Sequence, residues 1–240
     1  MTIYIYELPE AVHFPDPEEA LDTPNGLLAC GGDLSPKRLI AAYQQGIFPW
    51  FSGEEPILWW SPSPRAVLYL EDYHISRSFS KFLRKTPFHV TLNTAFDEVI
   101  ETCSLLRSEE EGTWITDDII EAYQALHRLG HAHSIEVWSG DALVGGLYGV
   151  VVGSAYCGES MFHHATNASK LAFYCLVNLL KPLENAFIDC QMPTEHLSTL
   201  GVKSIERHAF LEDLSKSINI RPPENYWRKR SLFADNTLCV

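Results

Sequence analysis

Three polar residues stand in or at the end of apolar segments, where a charge or an amide needs a partner. Asp189 and Gln191 lie in the apolar segment 187–191, and Glu159 ends the apolar segment 154–159. Because strand side chains alternate with a period of two, we expect Asp189 and Gln191 to share one face of a strand. Buried carboxylates are usually paired or functional, so these residues indicate proton handling or the capture of an amine. A competing explanation for Asp189 is that it caps a helix beginning at Pro193.

Histidine and cysteine form no recognisable metal-binding or nucleophile motif. The pairs His131/His133 and His163/His164 lack the i, i+4 spacing of a helical zinc site, so we expect no metal and no cofactor. The six cysteines include no Cys-x-x-Cys pair, which is typical of free thiols in a reducing cytoplasm. We interpret Cys157 as a buried structural thiol rather than a nucleophile.

One basic cluster stands out in an acidic chain of 240 residues, which has 18 Lys and Arg against 31 Asp and Glu and a net charge of −13. The segment 74–89 has no acidic residue, and its basic side chains fall at i, i+4, i+7 and i+8: Arg77, Lys81, Arg84 and Lys85. We call this set the basic face. It indicates either a phosphate-binding helix surface or an ordinary solvated helix face. The overall charge excludes a general nucleic-acid coat protein, but a local site remains open because charges are screened within about 8–10 Å.

The elements that must position these residues alternate between strands and helices, which predicts an α+β fold. Ser35 is expected to cap a short helix that Gly46 ends. A Pro- and Trp-rich stretch from Phe48 to Arg65 then predicts a domain junction, whose aromatic side chains pack in the core or in a pocket between domains. We therefore expect a small N-terminal domain at 1–63 and a second domain at 64–240 with a mainly antiparallel central sheet. The expected elements of the second domain are strands at 66–70, 88–92, 134–138, 142–152, 154–159 and 187–191, and helices at 74–85, 95–105, 116–129 (capped by Thr116), 167–180 (capped by Asn167) and 193–200.

Eight short motifs occur along the chain in a fixed order. They are Gly31-Gly32-Asp33-Leu34-Ser35, Gly46-Ile47-Phe48-Pro49-Trp50-Phe51, Trp59-Trp60-Ser61-Pro62, Gly112-Thr113-Trp114-Ile115-Thr116, Val144-Gly145-Gly146-Leu147-Tyr148-Gly149, Gly158-Glu159-Ser160-Met161-Phe162, Asn167-Ala168-Ser169-Lys170 and Ile188-Asp189-Cys190-Gln191. The ordered series closely resembles the leucyl/phenylalanyl-tRNA–protein transferase family, from Phe14 to Phe233.

The resemblance implies a bacterial cytoplasmic aminoacyltransferase with a small N-terminal domain and a GNAT-like (N-acetyltransferase-type) C-terminal domain. Such an enzyme moves Leu or Phe, and less readily Met, from aminoacyl-tRNA to proteins with an N-terminal Arg or Lys, which marks them for degradation by the N-end rule. The acetyl-CoA loop of the fold, Arg/Gln-x-x-Gly-x-Gly/Ala, is absent, which suits a tRNA ester as donor. We expect a monomer. We also expect no membrane partner, since neither a secretory signal nor an apolar run of roughly 20 residues is visible.

The resemblance also implies roles for individual residues. Asp189 and Gln191 would assist attack by the acceptor amine, and Glu159 would hold the aminoacyl α-amino group. The residues expected at the amino-acid pocket are Trp50, Trp114, Tyr156, Met161, Phe173 and Ile188. Two departures from the family pattern are Tyr156 in place of Phe and His163 in place of Ser, and neither touches the Asp189/Gln191 pair.

Two questions stay open at the level of sequence. The proton of the attacking amine could pass through Gln191 to Asp189, or the terminal ribose hydroxyl of the tRNA could transfer it. A CoA-dependent N-acyltransferase of the same fold and a non-enzymatic tRNA-binding module are the rival functions, and the second would not need Asp189, Gln191 and Glu159 together.

Overall fold

The N-terminal part of the chain is built around a small sheet in the computed structural model, which describes residues 5–53, 55–110 and 114–239. Its elements are β1 (Tyr6–Leu8), β2 (Leu27–Gly31), α1 (Pro36–Tyr43), β3 (Phe48–Pro49) and β4 (Leu58–Trp60). The described strands are ordered β1-β2-β4-β3. The predicted start of α1 is confirmed, because the Ser35 hydroxyl accepts a hydrogen bond from the Arg38 N–H at 3.4 Å. Tyr43 is the last residue of α1 and Trp50 directly follows β3, and both lie next to residues of the larger sheet described below.

The remainder of the described chain forms a large mixed sheet with helices on both faces. Its strands are β5 (Arg65–Tyr69), β6 (His89–Leu92), β7 (Ala132–Ser139), β8 (Ala142–Val152), β9 (Ala155–His163), β10 (Phe187–Gln191), β11 (Lys203–Ile205), β12 (Arg230–Ala234) and β13 (Thr237–Leu238). Its helices are α2 (Arg77–Leu83), α3 (Phe96–Glu110), α4 (Asp117–Arg128), α5 (Ala168–Leu180), α6 (Glu195–Ser198) and α7 (Arg207–Ser217). An α+β architecture with a small N-terminal domain is therefore present.

The strand order is β11-β5-β10-β9-β8-β7-β6-β12-β13 among the described residues. We expected a mainly antiparallel sheet; the structure has a mixed one, because β10 lies antiparallel to β5 but parallel to β9. The parallel pairing is short, since it joins Ile188 to Tyr156 and Asp189 to Cys157, while β9 continues to His163. The two strands therefore part beyond Asp189, in the middle of the sheet.

Two apolar layers cover the sheet. On one face, α3, α4 and α7 pack together with the N-terminal sheet around Trp59 and Phe210. On the other face, α5 and α2 pack around Phe79 and Leu176. None of the helices in the described ranges combines the length and the apolar character needed to cross a membrane.

Most of the predicted elements are confirmed, although several differ in their bounds and β11, α7, β12 and β13 were not predicted. Helix α2 spans Arg77–Leu83 instead of 74–85, because the Ser76 hydroxyl caps it by accepting from the Phe79 N–H at 3.2 Å. Asn167 precedes α5 but has a φ of +69° and makes no side-chain cap, so the predicted capping role is wrong. The Gly112-Thr113 part of the motif around Trp114 lies outside the described residues.

Candidate active site

A cavity of about 390 Å³ lies where β9 and β10 part. The N-terminal sheet, β8, β9, β10 and α5 supply its walls, which are mostly apolar. All six residues predicted for the amino-acid pocket line it: Trp50, Trp114, Tyr156, Met161, Phe173 and Ile188. Trp50 and Met192 are about 39% and 43% exposed, which places them at the mouth. A cavity with such walls suits one large apolar side chain and the polar groups attached to it.

Glu159 forms the polar end of this cavity and is only 9% exposed. The Tyr43 hydroxyl of α1 donates to its Oε1 at 2.7 Å, and the Tyr123 hydroxyl of α4 donates to its Oε2 at 3.2 Å. The two tyrosine hydroxyl oxygens also lie within hydrogen-bonding distance of each other, and all three contacts can be hydrogen bonds at once only when the Glu159 carboxyl group supplies a proton. Burial raises the pKa of Glu159 from 4.5 to about 7, although the hydrogen bonds from both tyrosines oppose this. The carboxyl group can therefore change protonation near neutral pH.

Asp189 is 1% exposed and forms a two-pronged ion pair with Arg65, which starts β5. Arg65 Nε donates to Oδ1 at 2.8 Å and Nη2 donates to Oδ2 at 2.7 Å. The guanidinium group lies 4.9 Å from the ring centroid of Phe48 and 4.4 Å from that of Phe210. This pair satisfies the buried charge of Asp189, which does not line the cavity.

The capping explanation for Asp189 is wrong. The first turn of the next helix is capped by Thr194, whose hydroxyl accepts from the Leu197 N–H at 3.2 Å. Asp189 instead accepts from the backbone N–H of Gln191 at 3.0 Å.

Gln191 is held in an unusual backbone conformation, with a φ of +59°. Such a conformation costs a non-glycine residue about 1–3 kcal/mol and persists only where its surroundings impose it. The hydrogen bond from the Gln191 N–H to Asp189 helps to impose it. Its side chain turns into the cavity, where Nε2 donates to Glu159 Oε1 at 3.0 Å. The structure thus gives Asp189 and Gln191 different side-chain partners, and period-two alternation does not describe the bulged end of β10. Gln191 lines the cavity, and none of the described residues donates a hydrogen bond to its Oε1.

Sequence reasoning missed Arg65, Tyr43 and Tyr123. Arg65 carried a usable signal, because a positive charge at the start of one apolar strand and a negative charge in another predict a buried pair. Tyr43 and Tyr123 carried none, since each is an aromatic residue among the buried residues of an amphipathic helix, where a place in the core is the ordinary explanation.

The basic face lies outside the cavity wall. All four of its side chains are exposed, and none forms an ion pair within the described ranges. Helix α2 is anchored by the buried Phe79, whose ring centroid lies 6.1 Å from that of Tyr174 on α5. Phe173, the neighbour of Tyr174, lines the cavity, so α5 separates the basic face from it.

Cysteine and histidine take no part in the cavity chemistry that the geometry supports. Cys157 is buried, and burial raises the pKa of its thiol well above the usual value. Within the described residues, no three His, Cys, Asp or Glu side chains are arranged to hold a metal ion.

The fold and the cavity define an α+β protein that presents a buried carboxyl group to an apolar pocket. Residues 67–215 match the family model described as leucyl/phenylalanyl-tRNA protein transferase, and residues 32–63 match the model of that family's N-terminal domain. The chain belongs to the leucyl/phenylalanyl-tRNA protein transferase family.

Relatives named leucyl/phenylalanyl-tRNA–protein transferase match nearly the whole chain. The relative from Pseudoalteromonas atlantica (strain T6c / ATCC BAA-1087) is 54% identical over 230 residues, which are 96% of this chain and 98% of the relative. The relative from Enterobacter sp. (strain 638) is 54% identical over 222 residues, 92% of this chain and 94% of its own. The relative from Escherichia coli O1:K1 / APEC is 54% identical over 224 residues, 93% and 95% of the two chains.

Proposed function

We propose that this protein is an aminoacyltransferase that moves Leu or Phe, and less readily Met, from aminoacyl-tRNA to acceptor proteins that begin with Arg or Lys. The product would carry an N-end-rule degradation signal. Membership of the family and the names of the relatives support the aminoacyl donor and the protein acceptor. The observation that carries the proposal is the apolar cavity that ends on Glu159.

The cavity suits an aminoacyl group because it combines two features. Its apolar wall accommodates the Leu or Phe side chain, and Glu159 can hold the adjacent α-amino group as an ammonium. The α-amino group titrates near 7.7–8, so between about pH 7 and 8 the carboxylate and the ammonium form coexist. Two tyrosine hydroxyls fix the carboxylate, which keeps the amine in one position.

The reaction is aminolysis of an ester. The acceptor nitrogen attacks the ester carbonyl carbon, the C–N amide bond forms, the C–O bond breaks, and the terminal ribose oxygen of the tRNA leaves with the proton that the nitrogen gives up. Positioning two substrates in this way can contribute roughly 7–11 kcal/mol. Because the ester is already activated, the protein's main task is orientation.

Gln191 is the residue we assign to the acceptor amine. Its amide nitrogen is engaged by Glu159, so its Oε1 can accept a hydrogen bond from the attacking N–H. Asp189 acts on Gln191 through the backbone N–H and is itself neutralised by Arg65. This arrangement supports a positioning role for Asp189 and passage of the proton to the ribose hydroxyl.

The basic face is the surface we assign to the tRNA phosphates. Its four exposed cations lack acidic partners among the described residues, and they stand on a chain of net charge −13. Phosphate contacts of this kind add affinity without distinguishing Leu from Phe.

The finer architecture is also a proposal. We place the domain boundary between 1–63 and 64–240, which the two separate family matches support. We assign the second domain to the GNAT type, which is supported by the parallel pairing of β9 with β10 in a sheet whose other described pairings are antiparallel. We further propose a cytoplasmic monomer.

The deciding experiment offers the protein labelled Phe-tRNA or labelled acetyl-CoA together with a casein-like acceptor that begins with Arg. Transfer of Phe, with none from acetyl-CoA, is the expected result. Transfer from acetyl-CoA would identify a CoA-dependent acyltransferase instead. Tight tRNA binding without transfer from either donor would identify a tRNA-binding module.

A further inference from the structure

Among the described residues that line the cavity, Arg107 is the one lysine or arginine. It lies in the last turn of α3, and its Nε donates to the Ser160 hydroxyl at 2.9 Å. Ser160 follows Glu159 on β9. The guanidinium group is therefore tied to the residue that follows Glu159, and both Arg107 and Glu159 line the cavity.

The two terminal nitrogens of Arg107 are available for a ligand. Nε makes the bond to Ser160, whereas neither Nη atom has a hydrogen-bond or ionic partner within the described ranges. The side chain is exposed at the cavity rather than closed off. A planar fork of N–H donors with one nitrogen anchored is the usual geometry for two-pronged binding of a phosphate or carboxylate.

A simpler explanation for Arg107 is a favourable position at the negative end of a helix dipole. The helix dipole is a sufficient explanation for Arg128, which lies in the last turn of α4, is exposed and does not line the cavity. Arg107 differs from it by the hydrogen bond to Ser160, which directs the guanidinium group to the cavity.

We propose that Arg107 binds the 5′-phosphate of the terminal nucleotide of the aminoacyl-tRNA. This inference rests on the proposed function, in which the aminoacyl ester lies between Glu159 and Gln191. The terminal ribose joins that ester to the phosphate, so an anion must lie close to the cavity whenever the donor is bound. Arg107 is the cation placed to meet it, and Ser160 acts as a positioning residue.

The test is a binding cycle that removes the phosphate from the ligand and the guanidinium group from the protein. The ligand is phenylalanyl-adenosine with a non-transferable amide in place of the ester, made with and without a 5′-phosphate. Titration calorimetry gives Kd for both ligands with the full-length protein, with Arg107→Gln and with the matched control Arg128→Gln. Melting temperatures establish that each variant is folded.

We expect the phosphate to tighten binding about tenfold in the unsubstituted protein and in Arg128→Gln, and to have no effect in Arg107→Gln. Arg107→Lys should keep part of the gain, because it retains the charge but not the fork. Ser160→Ala should also reduce the gain, since it releases Nε.

An equal phosphate effect in the protein and in Arg107→Gln overturns the inference, and so does the absence of a phosphate effect in the unsubstituted protein. Because the readout is Kd, it is independent of transfer. If Phe-tRNA gives no transfer but the phosphate effect depends on Arg107, the proposed function fails and the phosphate site stands.

Discussion

Glu159 should make the stability of the ligand-free protein depend on pH in a way that one substitution removes. The perturbation is Glu159→Gln, which has nearly the same shape and cannot ionise. Glu159 is buried, and its pKa is raised from 4.5 to about 7 by that burial. The folded protein therefore keeps the proton over a pH range in which the unfolded chain has lost it.

The sign and size follow from this difference. Because the folded pKa is raised, the contribution to stability is fully present below pH 4.5 and is lost as the pH rises through about 7. A tenfold change in an acid constant corresponds to about 1.4 kcal/mol, so the total is about 3 kcal/mol. Roughly 2.5 kcal/mol of it should disappear between pH 5 and pH 8.

The assay is urea unfolding of the protein and of Glu159→Gln at several pH values from 5 to 8, without substrate. The difference in free energy of unfolding between the two proteins should shift by the stated amount in favour of the variant as the pH rises. Other titrating groups cancel in this difference, because both proteins contain them. A difference that stays constant over the range would mean that the hydrogen bonds from Tyr43 and Tyr123 fully offset the effect of burial, so that the pKa of Glu159 is not raised, and the assignment of Glu159 as a carboxyl group that titrates near neutral pH would be wrong.

Three further outcomes are expected. Replacing Arg77 and Lys81 by Ala should weaken tRNA binding and lower the slope of log K against log salt by about 2, equally for Leu- and Phe-tRNA; filter binding with an unchanged slope would remove the basic face from the site. Asp189→Ala should lower the free energy of unfolding by about 3–5 kcal/mol, because it leaves Arg65 buried and unpaired; denaturant unfolding at the wild-type midpoint would contradict this. Tyr148→Phe should leave thermal stability unchanged or raise it by about 1 kcal/mol, since its buried hydroxyl has no partner within the described ranges; a clear loss of stability would show a missed partner.

Local sequence patterns predicted most of the fold. The caps at Ser35 and Thr116 are present in the structure, and so is the hairpin of β7 and β8. Such features depend on residues close together in the chain, which composition and periodicity describe well. The cap predicted at Asn167 was wrong because a φ of +69° depends on how the chain enters α5, and this is set by packing.

The site could be predicted only in part. The resemblance to the family indicated the apolar residues that line the cavity, and Glu159 and Gln191 line it as well. The partners of the polar residues could not be found in the same way, because Tyr43 and Glu159 are 116 positions apart and Arg65 and Asp189 are 124 apart. The contacts between these residues depend on the order of the strands in the sheet, which cannot be read from period-two alternation along one strand.

Tyr43 and Trp50 are the contribution of the N-terminal part of the chain to the surroundings of Glu159. Tyr43 of α1 donates the shorter of the two tyrosine hydrogen bonds to Glu159, and Trp50 covers the mouth of the cavity. Without them, the carboxyl group would be more open to water, which would lower its pKa towards the ordinary value, and it would lose a hydrogen-bond donor, which would raise the pKa. The two parts of the chain thus build one site. The larger sheet supplies Glu159 and Gln191, and the N-terminal part supplies some of the burial that raises the pKa of Glu159 and one of the hydrogen bonds that lower it.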